Sequence, residues 1–123
     1  MKLHADKAYG QNAITAHGPG HVAINGRRIE ASVIVQPGQL QENWPVKSVD
    51  DLTAELLAPL AALKSDVILL GTGMRQRFPS PAVLRPLIEA RIGVEVMDTA
   101  AACRTYNILL AEGRAPLAAL IVE

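Results

Sequence analysis

Two glycines, two threonines, a glutamine and an aspartate are spaced so that they could meet a ligand in one crevice. Gly71-Thr72-Gly73 follows the apolar run at 67–70, Gln76 stands three residues on, and Asp98-Thr99 follows a second strand-like run ending at Met97. Glycine lets backbone N–H groups approach a ligand closely. A helix beginning at Asp98 would add partial positive charge from its N-terminus. That set suits a small anionic ligand. The same residues also suit a plainer use, in which the glycines form a tight turn and Asp98 only caps a helix.

Arg104 and Asn107 form a second candidate. At 100° per residue, Ala101, Ala102, Thr105, Ile108 and Leu109 share one helical face, with Tyr106 and Leu110 at its edge. Arg104 and Asn107 fall opposite, on a stripe with Ala100 and Ala111. An accessible arginine fork beside an amide could take a carboxylate, a phosphate or a partner's backbone. A solvated helix face, or an Arg104 that ties down a loop, would need the same residues.

The remaining chemistry-bearing residues form no motif. Gly71-Thr72-Gly73-Met74-Arg75-Gln76 has glutamine where a dinucleotide fingerprint needs its third glycine, and Phe78-Pro79 delays the helix. His17 and His21 flank a turn without a third ligand beside them. Cys103 has no activating base in the sequence and reads as a small, half-buried helix residue. No catalytic residue, metal site or cofactor is assigned on these grounds.

The elements that would position the candidates follow from pattern and punctuation. Alternating apolar residues at Ile14, Ala16, Val22 and Ile24 predict strands broken at Gly18-Pro19-Gly20. Asn25-Gly26 predicts a two-residue hairpin turn. The returning strand, Arg28 to Val35, would place Ile29, Ala31, Val33 and Val35 on one face and end at Pro37-Gly38. Residues 39–47 read as a loop in which Trp44, before Pro45, folds over the domain. Ser48 is the expected N-cap of a helix carrying Leu52, Leu56 and Leu60 or Leu63, kinked or restarted at Pro59. Then comes β-α-β-α-β: a strand at 67–70, a helix from Ser80-Pro81 burying Leu84, Leu87 and Ile88, a strand at 93–97, a helix from Asp98 to Glu112, and a last strand at 117–122. The expected fold is a single α/β domain over residues 1–123, with a parallel core and an N-terminal antiparallel β layer. Its strand ends are where a ligand would bind.

With 123 residues, half of them hydrophobic and a fifth charged, the chain has enough apolar material for one core. Twelve basic and twelve acidic residues leave no net charge, which argues against nucleic-acid binding and gives no support to a membrane surface. The single cysteine fits a reducing compartment. The opening MKLHADKAYGQ lacks the apolar stretch of a leader, and no run is long enough to cross a bilayer. A cytoplasmic location is therefore expected.

Two segments together carry a resemblance. They are residues 67–73 with Gln76 and Pro79, and Met97-Asp98-Thr99-Ala100-Ala101-Ala102-Cys103-Arg104-Thr105-Tyr106-Asn107, supported by Glu112-Gly113-Arg114 and the hairpin at 22–35. Along nearly its whole length the chain resembles a domain family of unknown function. That family is shared by short bacterial proteins and the mitochondrial assembly factor 3 of respiratory complex I. The resemblance implies a three-layer fold with a mixed central sheet, helices and an added N-terminal β layer. It implies no established catalytic residue. The mitochondrial members look like non-enzymatic helpers of complex assembly, and without a mitochondrial targeting segment this chain looks like a bacterial member. A binding protein with a protein partner is the function expected, and a small-molecule binder or enzyme using the crevice near Gly71 and Asp98 is the alternative.

Overall fold

Asn25 and Gly26 both take positive φ, 54° and 85°, and close a hairpin in the N-terminal β layer. The computed structural model describes residues 10–123. The reading of the opening segment as lacking a leader falls largely on residues 1–9, outside the described residues. Strands β1 (Ile14–Gly18), β2 (His21–Ile24) and β3 (Arg27–Ile29) form an antiparallel sheet in the order β1-β2-β3. A β-bulge interrupts the β1–β2 register between Ile14 and Ala16.

The strand expected to run unbroken from Arg28 to Val35 is instead split between two sheets. After β3 the chain bends through residues 30–32 and resumes as β4 (Val33–Gln36) in a second sheet. Ser32 fixes the bend. Its buried hydroxyl donates to Val46 C=O and accepts the Val122 N–H at 2.9 Å. Pro37-Gly38 does not end the β structure either. It turns the chain into β5 (Gln39–Gln41), antiparallel to β4, in a segment expected to be loop.

The second sheet is completed by β6 (Val67–Gly71), β7 (Val94–Met97) and β8 (Pro116–Leu120), in the order β5-β4-β8-β6-β7. β6 runs parallel to both β7 and β8, whereas β4 runs antiparallel to β8. Both faces of the sheet are covered, so the alternation along each inner strand is between two cores. Val33, Val35, Val67, Leu69, Ala118 and Leu120 face one core. Ile34, Ile68, Leu70, Leu117, Ala119 and Ile121 face the other. Burying each such leucine is worth about 1.5–3 kcal/mol relative to exposure, which is why these strands read as continuous apolar runs.

Among the described residues three helices complete the layers: α1 (Ala54–Leu57), α2 (Pro81–Glu89) and α3 (Thr99–Ala111). The helix expected after Ser48 is broken into short pieces. Ser48 caps a 3₁₀ turn at Val49–Asp51, Thr53 caps α1 through the Leu56 N–H at 3.1 Å, and Pro59 lies in a 3₁₀ segment at Ala58–Leu63. These pieces and α2 cover one face of the large sheet, with Trp44 buried among them at 4% exposure. The small sheet and α3 cover the other. Of the stripe expected on α2, Leu87 is buried and Leu84 half-buried, but Ile88 is 59% exposed.

The layering decides where a site can form. The chain steps from β6 out to β7 through α2, then back past β6 to β8 through α3. Two crossovers of one hand that travel in opposite directions place their helices on opposite faces. The loops leaving β6 and β7 therefore part at Gly71 and Asp98, the expected crevice position.

Candidate functional site

The six crevice residues lie at the carboxyl ends of β6 and β7, where Gly73 and Thr99 bond to each other and the rest bond to neighbouring backbone. Gly73 donates its N–H to Thr99 Oγ1 at 2.8 Å, and Thr99 returns its N–H to Gly73 C=O at 2.9 Å. The Thr99 hydroxyl proton goes to Ile121 C=O at 2.7 Å. Thr72, buried, lies 2.6 Å from Arg75 C=O and 3.2 Å from Met97 C=O through its hydroxyl, and accepts the Arg77 N–H at 3.1 Å. Gln76 donates to Val96 C=O at 2.9 Å. Asp98 accepts the Ala101 N–H at 2.8 Å as the N-cap of α3.

The glycines have their own reasons to be there. A Cβ on Gly71 would stand 3.0 Å from both Cα and Oγ1 of Thr99 and 3.2 Å from Ala102 Cβ, so Gly71 is where α3 presses onto the sheet. Gly73 adopts φ +97°, and a Cβ there would run into the Glu123 side chain. The polar groups expected to face a ligand are thus largely spent on holding the loops of β6 and β7 to α3.

Beside them lies a cleft of about 180 Å³ with unexpected walls. The turn from His17 to His21 reaches over from the small sheet, and Ile121 to Glu123 closes the other side. Glu123 Oε1 accepts the Met74 N–H at 2.8 Å. The cleft therefore carries the carboxylates of Asp98 and Glu123, a poor setting for an anion.

Arg104 and Asn107 differ from expectation in one important respect. The buried arc of α3 is Ala102, Cys103 and Tyr106, not a face centred on Ile108, which is 58% exposed. Asn107 is half-buried and turned to β1. Its Oδ1 accepts the Ile14 N–H at 3.0 Å, and its Nδ2 donates to Ile14 C=O at 2.6 Å. It satisfies an edge-strand residue as a neighbouring strand would. Arg104 remains exposed and forms no ion pair among the described residues. Cys103 is fully buried, and burial pushes its thiol up to about 12. Tyr106, also fully buried, has its hydroxyl shifted upward by burial and donates it to Asn12 C=O at 2.7 Å.

Sequence reasoning missed the loop between β6 and α2 as a surface. Phe78 is 71% exposed and Met74 61%, flanking the exposed Arg75 and Gln76. Their apolar character in a loop after Gly73 was the available signal.

An α/β chain with two sheets, a mixed central one, and this loop-to-helix lock defines the class, and the comparisons agree. The chain belongs to the family described as protein of unknown function (DUF498/DUF598), whose model matches residues 14–121. It is 37% identical over 100 residues to the bovine (Bos taurus) NADH dehydrogenase (ubiquinone) 1 alpha subcomplex assembly factor 3, a match covering 80% of this chain and 54% of that protein. The chain thus spans about half the length of that relative. It is 29% identical over 115 residues to the 13 kDa major membrane protein of Francisella tularensis, covering 93% and 94% of the two chains. The crystal structure of a protein from Bordetella parapertussis superposes with a TM-score of 0.86 at 43% identity, over 93% of this chain and 98% of that one. Among the described residues no helix is long and apolar enough to cross a membrane.

Proposed function

We propose that this chain is a non-enzymatic binding protein that assists assembly of a protein complex, a respiratory complex being the first candidate. It would act as a single domain in the cytoplasm. The similarity to the bovine assembly factor across 80% of the chain carries the reading. The geometry adds support. The strand-end polar groups are engaged within the fold, while Phe78 and Met74 stand exposed on a loop able to meet a partner. The alternative, a ligand or substrate in the strand-end crevice, is less favoured because Asp98 and Glu123 line it and Gly73, Thr72 and Thr99 are already paired. Deletion of the gene from its native organism tests the proposal. Native gels of the membranes should show less mature respiratory complex and an accumulation of partly assembled subunits. Normal amounts of every such complex in the deletion strain would sink it.

A further inference from the structure

The outer edge of β1, which no other strand joins among the described residues, and helix α3 run side by side in opposite directions. Asn107 sits at Ile14, Arg104 lies opposite the stretch from Thr15 to His17, and Thr99 reaches the turn at Pro19. Between them is a groove of about 350 Å³, within the range of small-ligand sites.

Three donors converge there. Arg104 is exposed and without an ion pair among the described residues. The Asn107 amide is planar and pinned with Oδ1 on Ile14 N–H and one Nδ2 proton on Ile14 C=O. Its second Nδ2 proton must then project along β1 toward Ala16, and it has no acceptor among the described residues. The third donor is the backbone of His17. Val22 pairs with Ile29 of β3, two positions from the Ile24–Arg27 closure of that hairpin, so it turns its N–H and C=O toward β3. His17, opposite Val22, must therefore point its own N–H away from β2. The bulge between Ile14 and Ala16 is what brings residues 14 and 17, three apart, to the same edge.

Among the described residues no carboxylate lines this groove, whereas Asp98 and Glu123 line the cleft next to it. The geometry points to the groove between β1 and α3 as a binding site for a carboxylate, held by the Arg104 fork, the free Asn107 N–H and the His17 amide. Arginine's planar fork matches a carboxylate's two oxygens. The carboxylate has two sources, a free small dicarboxylate or an acidic side chain of a protein partner. The site stands whether or not the assembly role does.

The test is an NMR titration of the ¹⁵N-labelled full chain with succinate, with a capped glutamate (N-acetyl-glutamate methylamide) and with inorganic phosphate. The His17 backbone amide, the Arg104 Nε–H and the Asn107 side-chain amide should shift saturably with at least one carboxylate. Arg104→Ala should melt like the wild type and weaken that binding at least ~10-fold, the loss expected for a charge-assisted contact. Arg104→Lys, which keeps the charge and loses the fork, should fall between. Succinate binding with an inert capped glutamate assigns the site to a free dicarboxylate, and the reverse assigns it to a protein side chain. Binding of both supports the class. The proposal is overturned if neither carboxylate shifts these resonances, if the shifts survive Arg104→Ala, or if phosphate matches the better carboxylate.

Discussion

Asn107 and Ile14 pair as if they belonged to adjacent strands, with the carboxamide meeting both backbone groups of Ile14 at 3.0 and 2.6 Å. Asn107→Ala strips both bonds and leaves two half-buried backbone groups unpaired. A loss of about 1–3 kcal/mol is expected in urea unfolding. Arg104→Ala should stay within ~0.5 kcal/mol of wild type, since it breaks no ion pair among the described residues. Equal effects of the two substitutions would contradict the different places the structure gives them.

Gly71 and Gly113 offer a matched pair for separating packing from backbone strain. At Gly71 an added methyl meets the backbone of Thr99 at 3.0 Å, and backbone cannot swing aside. Gly71→Ala should cost about 1–3 kcal/mol through overpacking. Gly113 has open space around it but φ +79°, so Gly113→Ala should cost only about 1 kcal/mol through strain. Thermal melts of the two variants should therefore rank Gly71→Ala as the lower.

Alkaline pH should weaken the fold through Cys103. Burial pushes its thiol from 9.0 to about 12, so above pH 9 the unfolded chain releases a proton the native chain retains. The unfolded state then binds fewer protons, and stability falls as pH rises from about 9 to about 12. At pH 10 the loss from this one group is on the order of 1 kcal/mol. Tyr106, shifted in the same direction, adds to the loss at higher pH. Cys103→Ala should flatten the decline in stability measured between pH 8 and pH 10. An unchanged slope would show that Cys103 is not its source.

Much of the fold was legible because its signals are local. Asn25-Gly26, Ser80-Pro81, Asp98 and the run at 67–70 each announce their structure within a few residues. The break at Ser32 was not, because the partners that bend the chain there, Val46 and Val122, lie 14 and 90 residues away. Sequence could place the crevice residues on adjacent strand ends, but the bonding of Gly73 to Thr99 was invisible. A glycine that approaches a ligand and one that approaches Thr99 look alike in sequence. Asn107 was misplaced for a related reason. α3 is contacted by the large sheet on one side and by β1 on another, so its buried arc is wider than a single apolar stripe, and a polar side chain within it reads as solvent-facing.

Phe78 and Met74 separate binding from stability. Both are mostly exposed, so Phe78→Ala with Met74→Ala should melt within a degree or two of wild type. If their loop meets the partner, the same double variant should lose most of the partner's affinity, as exposed aromatic anchors do. A double variant that unfolds would mean these side chains are structural.

The central claim, that the chain works by binding a protein, is tested most directly by purifying the tagged chain from its native organism under gentle conditions. Native mass spectrometry would then identify what travels with it. The account predicts a stoichiometric protein partner, a subunit of a larger complex, that is depleted when Phe78 and Met74 are replaced by alanine. A chain recovered without any protein partner, carrying instead a small molecule that it converts, would contradict it.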